Sequence, residues 1–241
     1  FANSLQKLRN TMDFLEQPLQ TSASQDAIPG FGQASKQELE AHLEVRHYDG
    51  FTLTDAIRPA IDLQVIPRQG FRRDCYRNEK DGRNVPVLMC AASEEILFEL
   101  FMELIGNLGQ EVDVVLETSH YQDQAGHLDS YREQIEAPIL QSILWGHEEL
   151  LLNDGCTGIA VMNPRTPQEI QFDEHKMLVV YGEPLAPFEE ILRAHDVQLD
   201  PEIRFLTEAE HVHSSNESYY DEFEELRMHL GMDSGDMLNA C

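Results

Sequence analysis

The chain has 241 residues, 41% of them hydrophobic, and a formal net charge of −27 from 44 acidic against 17 basic residues. That length and apolar content suffice for one large domain or two small ones without covalent staples. The acidic excess excludes general affinity for nucleic acid or an anionic membrane, whose phosphate charge this surface repels, and the densest apolar stretch, residues 96–108, is broken by Glu99 and Glu103 and falls short of the roughly 20 apolar residues a bilayer crossing needs.

Residues 3–17 carry Leu5, Leu8, Met12 and Leu15 at helical spacing, with Pro18 just beyond, which predicts an amphipathic helix. Residues 18–34 turn to Ser, Gln, Gly and Pro, the chemistry of a linker. Residues 1–34 therefore read as an N-terminal helical arm and linker, and residues 35–241 as a single domain. Ser35 and Glu38 form a capping box for a short helix ending near Glu44, and residues 53–62 read as another helix started late by Pro59. Residues 71–76 and 85–91 are predicted strands joined by a turn at Lys80, Asp81 and Gly82, because Asp-Gly supplies the backbone angles of a tight hairpin.

Ser93 then caps a helix whose Ile96, Leu97, Leu100, Phe101, Leu104, Ile105 and Leu108 form one broad apolar face before Gly109. A strand is predicted over 112–117, and a helical region from Asp129 toward Asn153, restarted at Pro138 and stopped by Gly155. Further strands are expected at 157–162, 169–172 and 177–181, the last two as a hairpin around Asp173 and Glu174. A helix begins at Pro187, a short strand covers 203–206, and Ser214 with Glu217 caps a final helix ending at Gly231. The expected fold is α/β or α+β, with a central mixed sheet flanked by helices, a helical N-terminal arm and an acidic C-terminal helix.

Six of the 17 basic residues, Arg68, Arg72, Arg73, Arg77, Lys80 and Arg83, fall within 16 positions on the predicted hairpin. Guanidinium groups bind phosphate and carboxylate in forked geometry, so Arg72, Arg73, Arg77, Lys80 and Arg83 are a candidate anion or partner site. Strand alternation places Arg72 and Arg73 on opposite faces, and Asp74, Glu79 and Asp81 lie among them, which favours ion pairing within the protein. Residues 183–241 hold fifteen acids and three bases, so the hairpin and the acidic last helix are complementary, within one chain or between two.

The loop after the strand at 112–117 contains Glu117, His120, Asp123 and His127, residue types that bind zinc and related divalent metals. In an extended segment His211 and His213 point to one side and would complete that set if they faced it. His147 is followed by Leu151 where a metalloprotease helix needs a second histidine, and no phosphate-binding or dinucleotide loop and no nucleophile elbow is present. Cys156 follows the predicted helix end, whose partial negative charge disfavours a thiolate nucleophile. The four cysteines, Cys75, Cys90, Cys156 and Cys241, show no C-x-x-C spacing and read as reduced thiols of a cytoplasmic protein. No basic segment followed by an apolar one marks a secretion signal.

The charge pattern makes the expected function a cytosolic, non-enzymatic binding or regulatory protein acting through a protein partner or self-association. The alternatives are a metal-dependent hydrolase using Glu117, His120, Asp123 and His127 with His211 and His213, and a binder of a small anion at the basic hairpin.

Overall fold

Alternation along short apolar strands builds the centre of the molecule. The computed structural model describes residues 35–77, 82–120 and 128–232. In chain order these form α1 (Lys36–Leu43), β1 (His47–Tyr48), β2 (Phe51–Thr52), β3 (Ile57–Pro59), β4 (Gly70–Arg77), β5 (Asn84–Ala91), α2 (Glu94–Gly106), β6 (Glu111–Thr118), β7 (Leu128–Glu136), α3 (Ala137–Leu144), α4 (Glu148–Asn153), β8 (Thr157–Met162), β9 (Glu169–Phe172), β10 (Leu178–Tyr181), α5 (Ala186–Ala194), β11 (His211–His213) and α6 (Glu217–His229). Seven strands pair in the order β4-β5-β10-β9-β8-β6-β7, and β11 pairs with β3 in a small separate sheet. The expected α+β architecture is present, but the large sheet is antiparallel in every pairing and not mixed.

One face of this sheet carries Leu88, Val112, Val114, Leu116, Ile159, Val161, Ile170, Phe172, Leu178 and Val180, packed in one cluster with Leu97, Phe98, Leu100, Phe101, Leu104 and Ile105 of α2. Burial of each such side chain contributes about 1.5–3 kcal/mol relative to exposure, so α2 anchors the helical layer. Phe223 and Leu226 of α6 join the same cluster. The alternate residues point to the opposite face, where Val87, Met89, Val179 and Tyr181 meet Ile203 and Phe205. On that side the buried positions also include the polar Glu169 and Gln171.

Three predicted elements take another form. Residues 53–62 are not a helix: Arg58, 3% exposed, donates to the carbonyls of Thr54, Ile57 and Leu43, satisfying an extended backbone around β3 that a helix would have satisfied itself. Residues 128–136 are β7, an edge strand among the described residues, whose mostly polar side chains are half-buried or exposed except Ile135 and so carry little apolar alternation. Residues 203–206 form no ladder, since Ile203 and Phe205 are buried as side chains against the sheet face. The last helix is capped by Asn216, whose side chain accepts from Tyr219 N, and not by Ser214. Residues 1–34, the predicted arm, lie outside the described residues.

Antiparallel order brings alternate chain ends together. Thr118 of β6 lies opposite Thr157 of β8, and Phe172 of β9 opposite Leu178 of β10, so the segments 119–120, 154–156 and 173–176 emerge at one end of the sheet. The β3–β11 pair is fastened there as well, with Gly155 N donating to Ser214 O and Ser214 N to Ala56 O, both at 2.8 Å.

Candidate metal centre

The turn between β9 and β10 is organised by a carboxylate. Asp173 Oδ1 accepts from Met177 N at 2.8 Å, and Lys176 sits at φ 59°, a left-handed conformation that tightens the turn. This geometry carries His175 toward β11, where His211 and His213 share one side as residues two apart on a strand must. The ring centroids are 4.7 Å apart for His175 and His213, 5.0 Å for His175 and His211, and 5.2 Å for His211 and His213. One ligating nitrogen from each ring lies within 4.8 Å of the other two. A tetrahedral ion with bonds of about 2.0–2.1 Å sets its ligand nitrogens about 3.3 Å apart, so the rings would have to draw closer to one another to close on an ion.

The second nitrogen of each ring is occupied. His175 Nδ1 lies 3.2 Å from Asp173 Oδ2, His211 Nδ1 2.8 Å from Ala209 O, and His213 Nδ1 2.7 Å from Gly155 O. A carboxylate or carbonyl oxygen only accepts, so each Nδ1 carries a proton, which in a neutral ring leaves the lone pair on Nε2. This is the tautomer that outer-sphere acceptors impose on metal-binding histidines. Burial holds His211 and His213 below the usual histidine range, which favours the neutral ligand form. Burial works on His175 in the same direction, but Asp173 and Glu174 outweigh it and lift that ring above the usual range.

Charged groups surround the three rings. Ser119 Oγ donates to Glu174 Oε2 at 3.0 Å, which orients this carboxylate beside the histidines. Lys176 is buried, donates from Nζ to Thr157 O at 2.9 Å, and is pushed down to about 8 by that burial despite Asp154, Asp173 and Glu174 nearby. Behind His175 and Lys176 a cavity of about 30 Å³, lined largely by Phe51, Leu53, Leu97, Phe205 and Leu206, has room for one or two waters and no larger ligand.

The metal set expected from sequence is divided by the fold. His211 and His213 group with His175, while His120 groups with Asp154 and Cys156. Glu117 belongs to neither group: its carboxyl is drawn over Gly158 on the sheet face, 3.1 Å from where a side chain there would begin. Burial, reinforced by Asp129, Glu169, Glu174 and Asp173, raises its pKa well above the carboxylate range, which disfavours the anionic form that a metal ligand needs. Asp123 and His127 lie outside the described residues. His175 escaped the sequence reading because its partners are 36 and 38 positions away in the chain; the only local signal was Asp173 two residues before it.

The basic hairpin forms as β4 and β5, and its inner arginines are engaged. Arg72 Nη1 donates to Glu208 Oε1 at 2.6 Å and Ile203 O at 2.8 Å, and its guanidinium lies 4.9 Å from the Phe205 ring centroid. Arg73, on the other face, forks onto Glu189 of α5 at 2.5 and 2.7 Å, and Arg68 meets Asp200 at 2.6 Å. Arg77 and Arg83 are exposed near the hairpin tip, and Lys80 lies outside the described residues. In α6, Glu224 pairs with Arg227 at 2.7 Å and Glu222 lies 3.8 Å from His147, so these two acids face their own helical layer.

No protein-family model, curated protein or solved structure matches this chain.

Proposed function

We propose that the chain is a metal-dependent hydrolase whose catalytic ion is held by His175, His211 and His213. The observation that carries this reading is the set of three converging imidazoles whose Nδ1 positions are all committed to oxygen acceptors. With their rings neutral, the three histidines would leave a divalent ion its full charge and an open position, and the ion would lower the pKa of a water bound there to about 7. Glu174 is the side chain suited to take the proton from that water, since Ser119 fixes one carboxylate oxygen and the Glu174 charge already acts on His175 and His213. A protein-contact role has less support, because Arg72 and Arg73, its strongest basic elements, are spent on Glu208 and Glu189.

The test is metal analysis of the purified chain together with a panel of ester, amide and phosphoester substrates. Zinc, manganese or iron is expected to bind stoichiometrically and to support hydrolysis that a chelator abolishes. Glu174→Gln should keep the ion and lose about 10²–10⁴-fold in rate, the range for removal of a general base. A chain that binds no ion, or that hydrolyses equally well after His211→Ala and His213→Ala, contradicts the reading.

A further inference from the structure

A second group of residues of metal-ligating type lies one peptide from the first. Asp154 and Cys156 flank Gly155, the residue whose carbonyl holds His213, and His120 reaches them from the end of β6. His120, Asp154 and Cys156 offer ligand atoms within 4.8 Å of one another. His120 Nε2 stands 3.2 Å from Asp154 Oδ2 and 3.1 Å from Ser215 Oγ, and its Nδ1 stands 2.5 Å from Thr118 Oγ1. Both ring nitrogens are engaged, Nδ1 by Thr118 and Nε2 by Asp154 and Ser215, so the imidazole is held with Nε2 directed at the Asp154 carboxylate. The Asp154 side chain is fully enclosed and that of His120 is 8% exposed, while Cys156 is half-buried.

The backbone keeps these donors in register. A Cβ on Gly155 would stand 2.4 Å from Ala56 O and 2.8 Å from Ser214 O, so the 154–156 turn is pressed against β3 and the end of β11 with no room for a side chain. Imidazole nitrogen, carboxylate oxygen and cysteine sulfur form a mixed set that suits zinc better than calcium or magnesium, which demand oxygen alone. We infer that His120, Asp154 and Cys156 bind a second, zinc-class ion that ties the end of β6 to the 154–156 turn. The site shares no ligand with the three-histidine centre and stands or falls independently of it.

Cobalt loading of the full chain separates the two, because only the second site contains sulfur. The expected result is two equivalents bound and a thiolate-to-cobalt charge-transfer band in the near ultraviolet. Cys156→Ser should remove the band and one equivalent, whereas the double variant His211→Ala, His213→Ala should lose one equivalent and keep the band. In the unaltered protein zinc should protect Cys156 from alkylation and leave the exposed Cys75 labelled as before, a readout that needs no variant to fold. One equivalent bound with no thiolate band, and alkylation of Cys156 indifferent to zinc, would overturn the second site while leaving the three-histidine centre intact.

Discussion

A methyl group at position 155 would meet backbone oxygens of Ala56 and Ser214 and come within 3.0 Å of His213 Cβ. Gly155→Ala should therefore cost about 1–3 kcal/mol, as overpacking does, and should weaken metal binding by displacing the carbonyl that orients His213; urea denaturation and zinc titration of the variant measure both. Glu169 makes a different prediction. It is buried on the sheet face, where Gln171 Nε2 donates to its Oε1 at 2.7 Å, and burial raises its pKa from 4.5 to about 7. The folded state thus holds this proton more tightly than the unfolded chain, so the Glu169 contribution to stability is most favourable below about pH 4.5 and falls as pH rises toward 7. The full penalty above that range is of the order of 3 kcal/mol. Glu169→Gln should relieve it: the variant is expected to exceed the natural chain in stability near pH 8 and to match it more closely near pH 5, as read by urea denaturation, and equal stabilities at about pH 8 would contradict the assignment.

Arg72 links two elements that are distant in sequence. Its bonds to Ile203 O and Glu208 join β4 to the segment that leads into β11, and so bear on where His211 and His213 stand. Both partners are largely enclosed, with side-chain exposures of 20% and 18%, so Arg72→Ala should destabilise the fold by about 1.5–3 kcal/mol, the range for hydrogen bonds to charged groups. Arg77→Ala, at an exposed position on the same strand, should stay within about 0.5 kcal/mol. Equal losses would show that Arg72 is no more than a surface charge. The elements themselves were legible where hydrophobic period is strong: α2 follows from its broad apolar face, and residues 157–162 and 169–172 are strands with the bounds that the sequence predicts. β7 was not, because its polar residues suit an exposed helix as well as an edge strand, and the decision rests with its ladder to β6.

At the scale of the whole molecule, the candidate site is set by which strand ends the topology gathers. Antiparallel order places the 119–120, 154–156 and 173–176 segments at one end of the sheet and fastens β11 across it. The sequence announced two of the three histidines, since His211 and His213 point one way on any extended segment. It withheld His175, because strand order is a long-range property that composition and period do not encode. An ion bound there cross-links the β9–β10 turn to β11, two segments otherwise separate in the chain, and binding only the folded state stabilises it by mass action. Zinc should accordingly raise the melting temperature, and a chelator should reverse the rise. The most direct measurement is a calorimetric zinc titration of the metal-free chain beside its His211→Ala, His213→Ala variant, with circular dichroism to confirm that both are folded. The variant is expected to bind one equivalent fewer than the natural chain; identical stoichiometry and affinity in the two would contradict a metal centre at His175, His211 and His213.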